Sequence, residues 1–156
     1  MITIRRAAAQ DAQALIDFNR AMALETERKE LLPEVIGAGV RALLANPAAG
    51  FYLVAEADGQ VIGALMLTME WSDWRNGSFW WIQSVYVRPE YRRRGIYTRL
   101  YRHVQRLAAG DPGVCGFRLY VERENAAAQA VYRGLGMSET HYRVFEELKP
   151  GVRFYR

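Results

Sequence analysis

Cysteine is almost absent: Cys115 is the only one in 156 residues. A single thiol excludes an internal disulfide and any zinc site built on several thiolates. Histidine is scarce too, with His103 and His141 alone, so no metal centre is expected. No apolar run approaches the ~20 residues needed to span a bilayer, and the opening MITIRRAAAQ lacks the apolar core of a secretory signal. These absences predict a soluble, cytoplasmic protein that does not engage a membrane. A lone cysteine usually behaves as a small apolar group, which places Cys115 in the core. Repeats, low-complexity tracts and linkers are missing as well. With 51% hydrophobic residues, one folded domain over residues 1–156 is expected.

Positive charge is present and unevenly spread. The net charge is only +4, yet seven arginines and one carboxylate, Glu90, lie between Arg88 and Arg106. Such a concentration attracts anions. It suits either a phosphate-bearing small molecule or a nucleic acid. The cluster is short, which argues against the nucleic acid, whose binding would fall steeply with salt.

Hydrophobic periodicity outlines the elements. Ile2 and Ile4 alternate with polar residues as in a short strand, and Ala12 to Ala23 follows helical spacing through Leu15, Phe18 and Met22. Pro33 opens a second helix, which stops near Asn46-Pro47. Gly50–Ala57, Val61–Glu70 and Ser78–Val87 read as three antiparallel strands, joined by turns at Asp58-Gly59 and Asn76-Gly77. A helix follows on Ile96, Leu100, Val104 and Leu107. Val114–Val121 reads as a strand and Ala126–Leu135 as a helix closed by Gly136. Thr140–Glu147 and Val152–Tyr155 complete the pattern as strands. A meander followed by alternating helices and strands predicts an α+β (mixed α/β) fold with a helix-covered sheet.

The segment Val85-Tyr86-Val87-Arg88-Pro89-Glu90-Tyr91-Arg92-Arg93-Arg94-Gly95-Ile96-Tyr97-Thr98 carries the most chemistry. A strand ends, a basic loop follows, and Gly95 stands at the mouth of a helix. Helix N-termini offer unpaired N–H groups and the positive end of a dipole. Glycine lets a ligand approach the backbone closely. The combination suits a pyrophosphate.

This run resembles the coenzyme-A signature of the GNAT superfamily of N-acetyltransferases, Gln/Arg-x-x-Gly-x-Gly/Ala, with Arg92, Gly95 and Tyr97 on its key positions. Tyr97 departs from the pattern, which has a small residue there. A second run, Asn125-Ala-Ala-Ala-Gln-Ala-Val-Tyr132-Arg-Gly-Leu-Gly-Met137, is similar to the family's later signature, in which an asparagine opens a helix and a tyrosine precedes its stop. Asn125 is also a good N-cap and Gly136 a good C-terminal cap. The resemblance spans nearly the whole chain and implies a GNAT-like, mostly antiparallel central sheet flanked by helices.

It also implies an enzyme that moves an acetyl group from acetyl-CoA to a primary amine of a small molecule or peptide. Val85, Tyr86, Val87, Arg92, Arg93, Arg94, Gly95, Ile96, Tyr97, Thr98, Asn125 and Tyr132 would then hold the cosubstrate. Tyr132 falls on the position of a general acid for the leaving thiolate. A lysine-like amine with a pKa near ~10.4 is only about 0.1% neutral at pH 7.4, so a base would help. Some relatives carry a carboxylate on the central strand where this chain has Trp81, and no acid lies between Ser78 and Val87. Glu70 and Glu27 are the candidate bases. Trp71, Asp73 and Trp81, with Glu25 and Glu27, are the expected walls of the acceptor pocket, since aromatic faces beside carboxylates receive cationic amines. An acyl-CoA sensor without catalysis is the rival reading. The acceptor stays open among polyamine, aminoglycoside, amino acid and protein amine. So does the oligomeric state, with a homodimer the form that many relatives take.

Overall fold

The computed structural model describes all residues, 1–156. The chain divides into two compact units, Met1–Leu119 with Phe154–Arg156, and Tyr120–Arg153. The first holds the strands β1 (Ile2–Arg6), β2 (Gly50–Ala57), β3 (Gln60–Ser72), β4 (Gly77–Val87) and β5 (Val114–Arg118), and the helices α1 (Ala12–Glu27), α2 (Pro33–Leu44) and α3 (Ile96–Ala109). The second holds one regular element, the helix α4 (Ala126–Gly134).

The five strands form one sheet in the order β1-β2-β3-β4-β5. The first three pairings are antiparallel, and β4 with β5 is parallel. Local chemistry explains the meander. Asp58 and Gly59 both take positive φ (50° and 74°), which a two-residue hairpin with the twist of its strands requires. Asn76, at φ 48°, closes the turn into β4.

Strand alternation divides the core in two. Tyr52, Val54, Ala64 and Tyr86 pack with Leu15, Ile16, Phe18 and Val40, so α1 and α2 cover this face. Leu53, Leu65 and Leu67 point the other way, and Ile96, Leu100 and Val104 of α3 are buried there. The α1 helix runs four residues beyond the apolar pattern, to Glu27. Arg28 ends it in the left-handed conformation, and Lys29 N–H bonds back to Ala23 O at 3.1 Å.

Pairing between β4 and β5 is short. It reaches only from Ser78↔Val114 to Trp81↔Arg118, while β4 continues to Val87. The β3–β4 register slips between Ala64 and Met66, and Ser84 takes φ 51° in that stretch, the mark of a bulge. The β4–β5 contact is also close. A Cβ on Gly116 would lie 2.9 Å from the Phe79 ring.

Four sequence expectations fail. The strand expected over Val114–Val121 ends at Arg118, because no register with β4 continues past Trp81. Thr140–Glu147 is not a strand. It has the alternation, but its unit contains no strand to accept its backbone hydrogen bonds, and Tyr142, Val144 and Phe145 are exposed. Val152–Tyr155 supplies only a single bridge, Tyr155 to Leu31. Cys115 is exposed rather than buried, because it lies on the edge strand.

One ion cluster fastens β1, β2 and the start of α1. The Arg5 guanidinium donates to both oxygens of Asp11 (2.8 and 2.9 Å) and to Glu56 (2.8 Å), while Ala8 N–H donates to Asp11 at 2.7 Å. Asp11 is only 4% exposed. Arg5, aided by the Ala8 N–H, holds its carboxyl below the ordinary 3.8, against the opposing effect of burial. A depressed folded-state pKa means that the unfolded chain takes up the proton first. The contribution is therefore full above the ordinary carboxylate range and is lost as pH falls through the depressed folded value. Urea unfolding should find Asp11→Asn about 1–3 kcal/mol less stable than the parent at pH 7. That gap should narrow below about pH 4.

Candidate active site

The loop from β4 to α3 is shaped by its own backbone. Arg88 N–H donates to Ile62 O (2.8 Å), and a single 3-10 turn, Pro89–Tyr91, follows. Arg93 and Gly95 then both adopt positive φ, 63° and 73°. Left-handed residues in such a turn gather N–H groups into an anion-accepting concavity. Gly95 is the N-cap of α3, and the first intrahelical bond is Arg99 N–H to Gly95 O at 3.0 Å. The amides of the preceding turn lie at the positive end of the helix. A Cβ added to Gly95 would meet nothing within 4 Å, so open space lies before the turn. Arg93 and Arg94 are exposed beside it.

Tyr97, the departure from the signature, stacks on Tyr101 one turn along (centroids 6.2 Å, 22° between planes). Tyr101 in turn meets Phe117 edge-on. The bulk of Tyr97 is thus absorbed into a row of rings. Ile96 is buried under the sheet and Thr98 is half-buried. Val85 and Val87 are half-buried on the stretch of β4 that β5 leaves without a partner, where an extended ligand could lie along the strand. Arg92 does not reach outward. Its Nε donates to Val87 O (2.8 Å) and its Nη2 to Glu25 (3.0 Å).

The expected acceptor residues are only partly brought together. Register and alternation place Thr68, Glu70, Phe79, Trp81 and Gln83 on the α1/α2 face. Trp71 pairs with Ser78, one step on, and so points to the opposite face from Trp81 and Glu70. Asp73 lies in the 3-10 turn Asp73–Arg75, and its carboxylate accepts from Trp74 N–H at 2.8 Å. Glu70 is held by Arg118 (2.6 Å), whose guanidinium lies 3.7 Å above the Phe79 ring. Glu27 is exposed and paired with Lys29 at 3.1 Å. Glu25 lies against Arg92 and Tyr86. Phe79, Gln83 and Arg118 went unnoticed in the sequence. A lone arginine inside the strand Val114–Arg118 was the available signal for the last.

In the second unit, Asn125 caps α4 by accepting from Ala128 N–H at 3.1 Å. Tyr132 is half-buried, and burial raises its phenol above the usual 10.0, so it is protonated at neutral pH.

A strand freed from one neighbour, followed by a left-handed turn into a helix, makes a site of the kind that accepts anions. The comparisons name the family. The model of the Acetyltransferase (GNAT) family matches residues 12–137. The chain belongs to that family, and with it to the acetyltransferases that take acetyl-CoA as donor. The crystal structure of a possible acetyltransferase from Clostridium difficile 630 is similar at TM-score 0.89 and 44% identity, over 96% of this chain and 98% of that one. The structure of AAC(6')-Iy with the bisubstrate analog CoA-S-monomethyl-acetylneamine shares the fold at TM-score 0.76 and 20% identity, over 96% and 99% of the two chains. Among curated proteins, the thialysine N-epsilon-acetyltransferase of Bos taurus is 30% identical over 79 residues, 51% of this chain and 45% of that protein. The match thus spans less than half of that relative's length.

The turn fits a coenzyme A diphosphate: open space before Gly95, amides at a helix start, and two exposed arginines. Gly95→Ala keeps the fold but adds a methyl to that space and a left-handed alanine costing about 1–2 kcal/mol. Isothermal titration with CoA should show binding weakened about tenfold or more, while circular dichroism stays that of the parent.

Proposed function

We propose that this single acyltransferase domain, residues 1–156, moves the acetyl group of acetyl-CoA to a primary amine of a small molecule or peptide by direct attack on the thioester. The observation that carries it is the left-handed turn at Arg93–Gly95, set directly after the freed end of β4. In this reading Val85, Tyr86 and Val87 line the donor's path along the strand. The turn Arg92–Thr98 receives the diphosphate at its amides, with Arg93 and Arg94 as the nearby cations. The motif resemblance assigns Asn125 to the donor side as well.

Amine attack releases a thiolate, which needs a proton. Tyr132 supplies it. Its phenol is protonated at neutral pH, and burial raises it further, so the proton is given up only to a strongly basic group such as a departing thiolate. The acceptor meets the α1/α2 face of β3 and β4, where Trp81 offers an aromatic surface and Glu70 a carboxylate. Glu70 serves as the base once the incoming ammonium displaces Arg118. Glu27, turned toward Lys29, is the weaker candidate. Trp71, which points to the opposite face of the sheet, drops out of the acceptor side, and Asp73, in the outer turn, meets the acceptor only at its edge.

An amine acceptor agrees with what the relatives' names state, thialysine N-epsilon acetylation in one and aminoglycoside N-acetylation in another. Those names belong to enzymes, which favours transfer over a non-catalytic sensor. A cytoplasmic site of action is part of the proposal, supported by the exposed free thiol of Cys115, which persists in a reducing compartment.

An acetyl-CoA-dependent screen over polyamines, aminoglycosides, amino acids and peptides, read by thiol release, tests the function. Turnover with at least one amine class is expected. CoA binding without turnover across the panel would revive the sensor. With an acceptor in hand, Tyr132→Phe should lower kcat about 10²-fold while leaving CoA affinity unchanged. Full turnover by that variant would remove Tyr132 from the reaction.

A further inference from the structure

The basic turn before α3 is held from a distance of 67 residues in sequence. Glu25, in the last turns of α1, accepts from Arg92 Nη2 at 3.0 Å and, at the 3.5 Å limit, from the Tyr86 hydroxyl. The same Arg92 donates through Nε to Val87 O at 2.8 Å. Its guanidinium lies 5.3 Å from the centre of the Tyr86 ring, and that ring packs against Phe18 of α1 at 4.9 Å. Burial, and then the Glu25 charge, raise the Tyr86 phenol above its usual value, so it remains a donor. One carboxylate therefore joins α1, the end of β4 and the loop that leaves it.

We infer that Glu25 is a positioning residue for the donor: it fixes Arg92, and Arg92 ties the last carbonyl of β4 to the turn whose amides receive the diphosphate. The inference rests on the proposed reading of that turn. It has two chemical consequences. Arg92, though first in the signature, acts as an internal brace, so the cations left for phosphate are Arg93 and Arg94. Glu25 also moves from the acceptor side, where its sequence position had placed it, to the donor side. Lysine cannot replace Arg92, because one ammonium on a flexible stem does not offer the two fixed donor directions of a guanidinium.

Both partners are 42% exposed, so the effect is moderate. The test is titration with CoA alone, followed by steady-state kinetics with an acceptor found in the screen. Glu25→Gln should weaken CoA binding and raise the KM for acetyl-CoA about 3- to 5-fold, with kcat at saturation and the acceptor KM close to the parent. Glu25→Asp should recover part of the loss. The double variant with Arg92→Gln should be no worse than Arg92→Gln alone, since the two residues act in series. Parental CoA affinity in Glu25→Gln overturns the inference, whether or not its melting temperature falls. So does a rise confined to the acceptor KM. If the parent protein itself fails to bind CoA, the reading of the turn is what falls, and the two failures are told apart.

Discussion

β4 is hydrogen-bonded on both sides only as far as Trp81. Everything distinctive about the first unit follows from that loss of pairing. A strand with neighbours on both sides has no backbone to offer a ligand. One that loses a neighbour midway keeps its rigidity from the other side and gains a row of open groups. The bulge at Ser84 helps by turning the strand as it separates. The α3 helix, buried through Ile96, Leu100 and Val104, then fixes where the next amides point. The proposed donor site would thus be mostly backbone, held by a core that lies behind it.

Charge is arranged around this frame in two sets. On the proposed donor side, Arg92 is tied to Glu25 and Val87 while Arg93 and Arg94 face solvent. On the proposed acceptor side, Arg118 covers Phe79 and holds Glu70. The first set attracts a polyanion. The second keeps a carboxylate occupied until a competing cation arrives. Direct ion pairs in partial solvent exchange easily, which suits a site that must release one cation to bind another.

Much of the fold was legible in the sequence, for identifiable reasons. The β2–β3 hairpin announced itself through Asp58-Gly59, which both accept positive φ, and α3 through apolar residues three or four apart. The turn at Gly95 was legible because only a few residue patterns close a strand onto a helix around an anion. What failed depended on partners. A strand is a relation between two segments, so the alternation in Thr140–Glu147 could not say whether a neighbour existed. The same holds for Cys115, whose exposure follows from the edge position of β5, and for Trp71, which one step of register turns away from Trp81. The tie from Glu25 to Arg92 had no local signature at all, because its two ends meet only when α1 crosses the sheet.

Gly116 shows how narrowly the acceptor face is built. Its missing side chain lets the Phe79 ring rest on β5, and the ring is the platform on which Arg118 reaches Glu70. Any larger residue there has to push the ring away. The Arg118–Glu70 pair that the proposed acceptor would meet would then shift without a substitution at either residue. A change at Gly116 would thus act on the proposed acceptor contacts from beneath, through the Phe79 ring.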